Sequence, residues 1–124
     1  MRIIIEGDPF YQKRHRHGRG STWNPSKKNK KSIKIEAQSQ VKEMFQDIPL
    51  AVTLTAFYRF RKSGKDYEGK PKITKPDIDN VCKIYLDALN NVAYSDDNII
   101  TSLIAEKVYS EKPCVCIEIK PYEQ

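Results

Sequence analysis

The sequence predicts an α/β fold: a single compact domain, residues 1–124, with a mixed β-sheet and about two main helices. Three observations lead there. Short β-branched runs alternate with two stretches of helical periodicity. Their order reads strand, helix, strand, helix, strand, strand. No internal repeat or low-complexity linker divides the 124 residues, a length that buries one hydrophobic core without staples.

The elements follow in order. "MRIIIEG" is a short β-branched strand ended by a "GDP" turn. Residues 11–34 hold nine Lys or Arg and no Asp or Glu, and their first part, with Gly18, Gly20, Asn24 and Pro25, reads as an exposed loop. A helix is expected from about Ser26 to Phe45, because Ile33, Ala37, Val41, Met44 and Phe45 fall on one helical stripe. Its first turn carries Lys27, Lys28, Lys30 and Lys31, the wrong sign for the positive end of a helix dipole unless phosphates or solvent offset it. "PLAVTLTAFYRF" reads as a central strand and "RKSGKDYEGKPK" as a polar loop. From Pro76 a second helix is expected, with Ile78, Cys82, Tyr85, Leu86 and Leu89 as its buried face. "NIITSLIAEKVYS" and "KPCVCIEIKPYEQ" are the last strands, with Val115, Ile117 and Ile119 on one face.

Composition narrows the partners. Lys and Arg number 22 against 16 Asp and Glu, a net charge of +6, which favours an anionic partner, most often nucleic acid. The three cysteines, Cys82, Cys114 and Cys116, form no C-x-x-C pair, which argues against a disulfide framework or a zinc site and for a reducing interior. No leader and no apolar stretch near the ~20 residues of a membrane span is visible, so a soluble cytoplasmic protein without a membrane partner is expected.

Against this basic background the aspartates gather in "TKPDIDNVCKIYLDALNNVAYSDDNII". Asp77 and Asp79 open the second helix; Asp96 and Asp97 follow its end. A purely structural reading is available: Asp77 caps the helix, Asp79 pairs with Lys83 four residues on, and Asp96–Asp97 is a turn. The chemical reading is a metal site. Hard divalent cations take carboxylate, water and phosphate oxygens, and Asp residues without a His or Cys set suit Mg²⁺ or Mn²⁺ better than zinc. A negative island on a positive surface is also what a phosphodiester-cutting protein needs. A chain returning from the helix could bring Asp96 and Asp97 back toward Asp77 and Asp79. The residues alone leave both readings open.

The stretch "KPDIDNVCKIYLDALN…YSDDNII" resembles the RusA family of Holliday junction resolvases, small endodeoxyribonucleases common in prophages. The family pattern falls on Pro76, Asp77, Asp79, Asn80, Lys83, Asp87, Ala88, Leu89, Tyr94, Asp96, Asp97 and Ile100. A weaker match covers "IEGDPFYQKRHRHGRG…WNPSKKNKK". The resemblance implies a homodimer that recognises branched DNA, the four-way junction above all. It also implies symmetric cutting of two opposing strands with Mg²⁺ (Mn²⁺ as a substitute), in DNA recombination and repair. By the same resemblance Asp77, Asp79 and Asp97 are the essential carboxylates, Asp96 is a further metal ligand, and Lys83 sits near the scissile phosphate. Two departures are visible: His15 stands where many relatives have proline, and Asn91 replaces a glycine after the helix, where Asn also tolerates the left-handed conformation.

Lys13, Arg14, Arg16, Arg19 and Lys75 are the expected DNA-binding residues, with a solvated charge run as the plain alternative. Phe10 and Trp23 could stack on bases or simply anchor the core. Arg59 and Arg61 are weaker candidates, and His15 and His17 are disfavoured as metal ligands by the arginines beside them. The competing functions are a non-catalytic basic nucleic-acid-binding module and a metal-dependent phosphoesterase for small molecules. The long basic stretch disfavours the second.

Overall fold

A computed structural model describes residues 1–13, 16–18, 21–23, 26–60 and 67–123, with backbone alone for 16–18 and 21–23. Among these residues the chain forms β1 (Arg2–Glu6), β2 (Arg16–Gly18), β3 (Ser21–Trp23), α1 (Lys27–Gln38), β4 (Leu50–Tyr58), α2 (Ile78–Ala88), β5 (Ile100–Tyr109) and β6 (Cys114–Pro121). A 3₁₀ turn at Asp97–Ile99 precedes β5. The main sheet has the order β1-β6-β4-β5. β6 pairs antiparallel with both β1 and β4, whereas β4 and β5 are parallel, so the sheet is mixed as the element order implied. The parallel pair is possible because α2 lies in the connection between its strands.

Alternation decides the layers. Ile3, Ile5, Val52, Leu54, Ala56, Val115, Ile117 and Ile119 are buried and point to one face, where Ile33 and Ala37 of α1 and Val81, Ile84 and Tyr85 of α2 meet them. The intervening residues Ile4, Thr53, Thr55 and Cys116 are only half-buried on the opposite face. The thiols of Cys82, Cys114 and Cys116 are free.

Three expectations need correction. First, residues 16–18 and 21–23, expected as loop, pair as a small antiparallel hairpin. Second, α1 stops at Gln38 rather than near Phe45. Beyond it the Gln40 side chain turns to the edge of β1: the Ile4 N–H donates to Oε1 (2.9 Å) and Nε2 donates to the Ile4 carbonyl (2.8 Å). Phe45 then exchanges backbone bonds with the segment after α2, its N–H donating to Ala93 O and its carbonyl accepting from Ser95 N (both 3.0 Å). Val41 and Phe45 still pack on the core, but from irregular chain. Third, the buried arc of α2 centres on Val81, Ile84, Tyr85 and Ala88, while Ile78 is 39% exposed, because the helix packs on both the sheet and α1. Asn91, in the turn beyond the Leu89 C-cap, takes the left-handed conformation, φ 64°, that its sequence position suggested.

Candidate active site

The aspartates are held by the two ends of α2. At the first end Asp77 is the N-cap by backbone position: its carbonyl accepts from Asn80 N (3.1 Å) and Val81 N (3.3 Å), but its side chain makes no capping bond. Asp79, in the first turn, is exposed. Among the described residues the ion pairs are Arg2–Glu118 (4.0 Å) and Lys30–Asp87 (3.4 Å), so Asp79 does not pair with Lys83. The structural reading of this end holds in position only: Asp77 is the N-cap residue and Asp79 lies in the first turn, but the side-chain cap and the i,i+4 bridge are absent among the described residues.

What fixes Asp77 is its surroundings. Lys107 of β5 donates from Nζ to the carbonyls of Thr74 (2.7 Å) and Pro76 (2.6 Å), pinning the chain just before the helix. On the other side the N-terminal segment is stitched to both helices. Phe10 N–H donates to the Tyr85 hydroxyl, Gln12 N–H to the Asn80 carbonyl and Lys13 N–H to Ser26 Oγ, each at 2.9 Å. The result is a cleft of about 550 Å³ whose wall includes Tyr11, Lys13, Lys75, Asp77 and Asn80. Both lysines are exposed, and the Lys13 ammonium sits 5.7 Å from the Tyr11 ring centroid. Two of the expected DNA contacts thus flank Asp77.

A second, wider cleft of about 750 Å³ runs from Asp77, Ile78 and Asp79 to Ala105, Glu106 and Lys107 of β5. Burial pushes the Cys82 thiol up, and the nearby Asp79 charge adds to it.

The other end of α2 holds Asp87, Asp96 and Asp97. Asn90 clamps Asp97, its Oδ1 accepting from Asp97 N (2.7 Å) and its Nδ2 donating to Asp97 Oδ2 (3.3 Å). Asp96 caps the 3₁₀ turn by accepting from Asn98 N (3.3 Å). Burial holds the Asp97 carboxyl above the usual range; Asn90 opposes the shift, and Asp87 and Asp96 reinforce it. Beneath these groups Tyr94 is fully buried and donates to the Leu86 carbonyl. Lys83, Asp87, Asp97 and the start of β5, Ile100–Leu103, enclose a cleft of about 340 Å³. Asp87 and Lys30 bridge α2 to α1, so this lysine of the basic helix start is engaged by the protein itself.

The expected return of Asp96 and Asp97 toward Asp77 and Asp79 does not occur within the chain. α2 has 11 residues and spans about 16 Å, and the strand that runs back along it is β5, which starts only after the aspartates. Among the described residues no three Asp, Glu, His or Cys side chains gather as a set able to hold a metal. Asp77 and Asp79, both exposed, are available as the one or two carboxylates that Mg²⁺ takes beside water and phosphate oxygens.

Of the remaining candidates, Arg14, His15, Arg19 and Arg61 lie outside the described residues, and the side chains of Arg16, His17 and Trp23 are not described. Phe10 packs against the core, the anchoring alternative. Arg59 is exposed. Lys107 was missed by sequence reading: in an alternating strand it looks like any surface lysine, and only the tertiary approach of residues 74–76 reveals its task. No helix among the described residues is long and apolar enough to cross a membrane.

Residues 6–120 match the model of the family described as Endodeoxyribonuclease RusA. Two relatives share much of the chain. A Lactococcus phage r1t protein named Crossover junction endodeoxyribonuclease rusA is 34% identical over 94 residues, 73% of this chain and 70% of its own. The Bacillus subtilis (strain 168) protein YqaN, described as uncharacterized, is 27% identical over 135 residues, 97% of this chain and 95% of its own.

Proposed function

Since the chain belongs to the RusA family, we propose that it is a structure-selective endodeoxyribonuclease cutting four-way DNA junctions, and that it acts as a homodimer requiring Mg²⁺ or Mn²⁺. The phage relative's name, a crossover junction endodeoxyribonuclease, supports the substrate class. The observation that carries the reading is the uncommitted pair at the start of α2. Asp77 occupies a cap position without using its carboxylate as a cap, and Asp79 has no ion-pair partner among the described residues.

Asp77, Asp79 and Asp97 are the proposed metal-binding and catalytic carboxylates, with Asp96 beside them. A bound divalent ion would supply Lewis acidity toward a phosphate oxygen and its attacking water. Lys83 offers a fixed positive charge for the phosphate undergoing cleavage. Lys13 and Lys75, with Arg14, Arg16 and Arg19 in the same basic stretch, hold the DNA backbone. A two-fold symmetric protein suits a substrate with two equivalent cleavage points. The wider setting proposed is DNA recombination and repair in the cytoplasm.

The test is an end-labelled four-way junction beside a matched linear duplex, each with Mg²⁺, with EDTA and with Asp77→Asn protein. Paired nicks are expected in the junction only. Asp77→Asn should keep junction binding while lowering cutting by roughly 10²-fold or more. Binding without cutting in Mg²⁺ or Mn²⁺ would leave a non-catalytic DNA-binding module instead.

A further inference from the structure

Alternation places Lys107 on the apolar side of its strand. Its partner across the β4–β5 ladder is Ala56, fully buried on the helix-covered face, and Lys107 is itself half-buried. A lysine in such a place needs partners for its ammonium. Acidic ones are at hand, since Asp77, Asp79 and Glu106 line the same cleft. Yet the ion pairs among the described residues are Arg2–Glu118 and Lys30–Asp87, so Lys107 pairs with none of the three. Its ammonium goes instead to two backbone oxygens, Thr74 O at 2.7 Å and Pro76 O at 2.6 Å.

Asp77 takes its direction from these bonds. The Pro76 carbonyl belongs to the planar peptide unit that ends at the Asp77 nitrogen, so Lys107 fixes the plane entering Asp77. The plane leaving Asp77 is fixed by α2, because the Asp77 carbonyl accepts from Asn80 N and Val81 N. With both planes held, the Cα–Cβ bond of Asp77 is held as well, while its carboxylate makes no capping bond. The strap leading to it is fastened to the same residue: Lys72 N donates to Lys107 O (2.9 Å), and Lys72 Nζ donates to Thr74 Oγ1 (2.6 Å). A free carboxylate thus stands on a fixed backbone, the arrangement in which a metal ligand binds without first having to be ordered.

We propose that Lys107 is a positioning residue for the divalent ion. By holding the peptide before Asp77 it sets the affinity of the metal site. By spending its charge on carbonyl oxygens it leaves Asp77 and Asp79 free for the cation. Lys107 touches neither the metal nor the substrate in this role; it acts through Asp77, as the outer partners of metal ligands do. The proposal deepens the nuclease reading above and rests on it for the place of the ion.

Mn²⁺ titrations followed by electron paramagnetic resonance, on the free protein and on its junction complex, test it without reference to cutting. Lys107→Met should weaken Mn²⁺ binding roughly 10- to 100-fold, while junction binding in EDTA stays at the wild-type level. In the cutting assay the Mg²⁺ concentration for half-maximal rate should rise by the same factor, and excess Mg²⁺ should restore most of the rate. Asp77→Asn, which removes the ligand itself, should not be restored. Lys107→Arg keeps the charge and the donors and should bind Mn²⁺ nearly as wild type does. Lys107→Gln, shorter and uncharged, should shift the metal midpoint in the same direction as Lys107→Met, and it decides the matter if Lys107→Met is unfolded by circular dichroism. A lysine that only fastens the fold predicts a lower melting temperature with both metal midpoints unmoved, and that result would overturn the proposal. So would wild-type protein that binds no Mn²⁺ in either state. Wild-type protein that binds Mn²⁺ but cuts nothing would sink the nuclease reading, and the resonance titrations alone would then judge Lys107.

Discussion

The hydroxyl of Tyr58 is buried with no hydrogen-bond partner among the described residues, and the Lys72 ammonium lies 5.2 Å from its ring centroid. Burial, with a smaller contribution from Cys82, pushes this phenol up to about 12 from 10.0. Tyr58→Phe removes an unsatisfied polar atom and should raise stability by about 1 kcal/mol at neutral pH. Because the folded value is raised, the neutral phenol's contribution is fully present below pH 10.0 and is lost as pH rises through about 12. The advantage of Tyr58→Phe should therefore widen between about pH 8 and about pH 11 in paired thermal melts. A constant or shrinking margin would mean that the hydroxyl has found a partner. Asp77 is likewise a polar group without a partner among the described residues, but the Tyr58 hydroxyl is sealed away, whereas Asp77 faces a cleft with lysines on its rim.

At the scale of elements, α2 was the most legible part of the chain and α1 the least. The start of α2 is marked locally, by Pro76 and the N-cap position of Asp77, and its end by the turn in which Asn91 stands at φ 64°. Asn91→Gly should be neutral to within a few tenths of a kcal/mol, and Asn91→Ala should cost about 1 kcal/mol, read as urea midpoints. Equal midpoints for Asn91→Ala would show that the turn relaxes out of the left-handed region. The end of α1 was illegible because Val41, Met44 and Phe45 continue the helical stripe. What overrides them is non-local: Gln40 reaching β1 and Phe45 pairing with Ala93 and Ser95. The same limit governs the site. The spacing of Asp77, Asp79 and Lys83 was readable, as was the presence of Asp96 and Asp97. Whether the two groups meet depends on the length of α2 and the path of β5, which periodicity does not encode.

For the whole molecule, the excess of positive charge makes salt the natural probe. If Lys13 and Lys75 each neutralise a phosphate, junction affinity should fall steeply with salt. Lys75→Met should then lessen the slope of log K against log salt by about 0.9, as each contact released returns one counterion set. An unchanged slope would remove Lys75 from the DNA surface. The same scale gives meaning to the small device at Gln40. A sheet with two bare margins can add neighbours without end and grow into a filament; one with a single bare margin stops at a pair. By bonding both backbone groups of Ile4, the Gln40 amide takes that position of the β1 margin out of such pairing. A surface glutamine, unremarkable in sequence, thus blunts a strand edge.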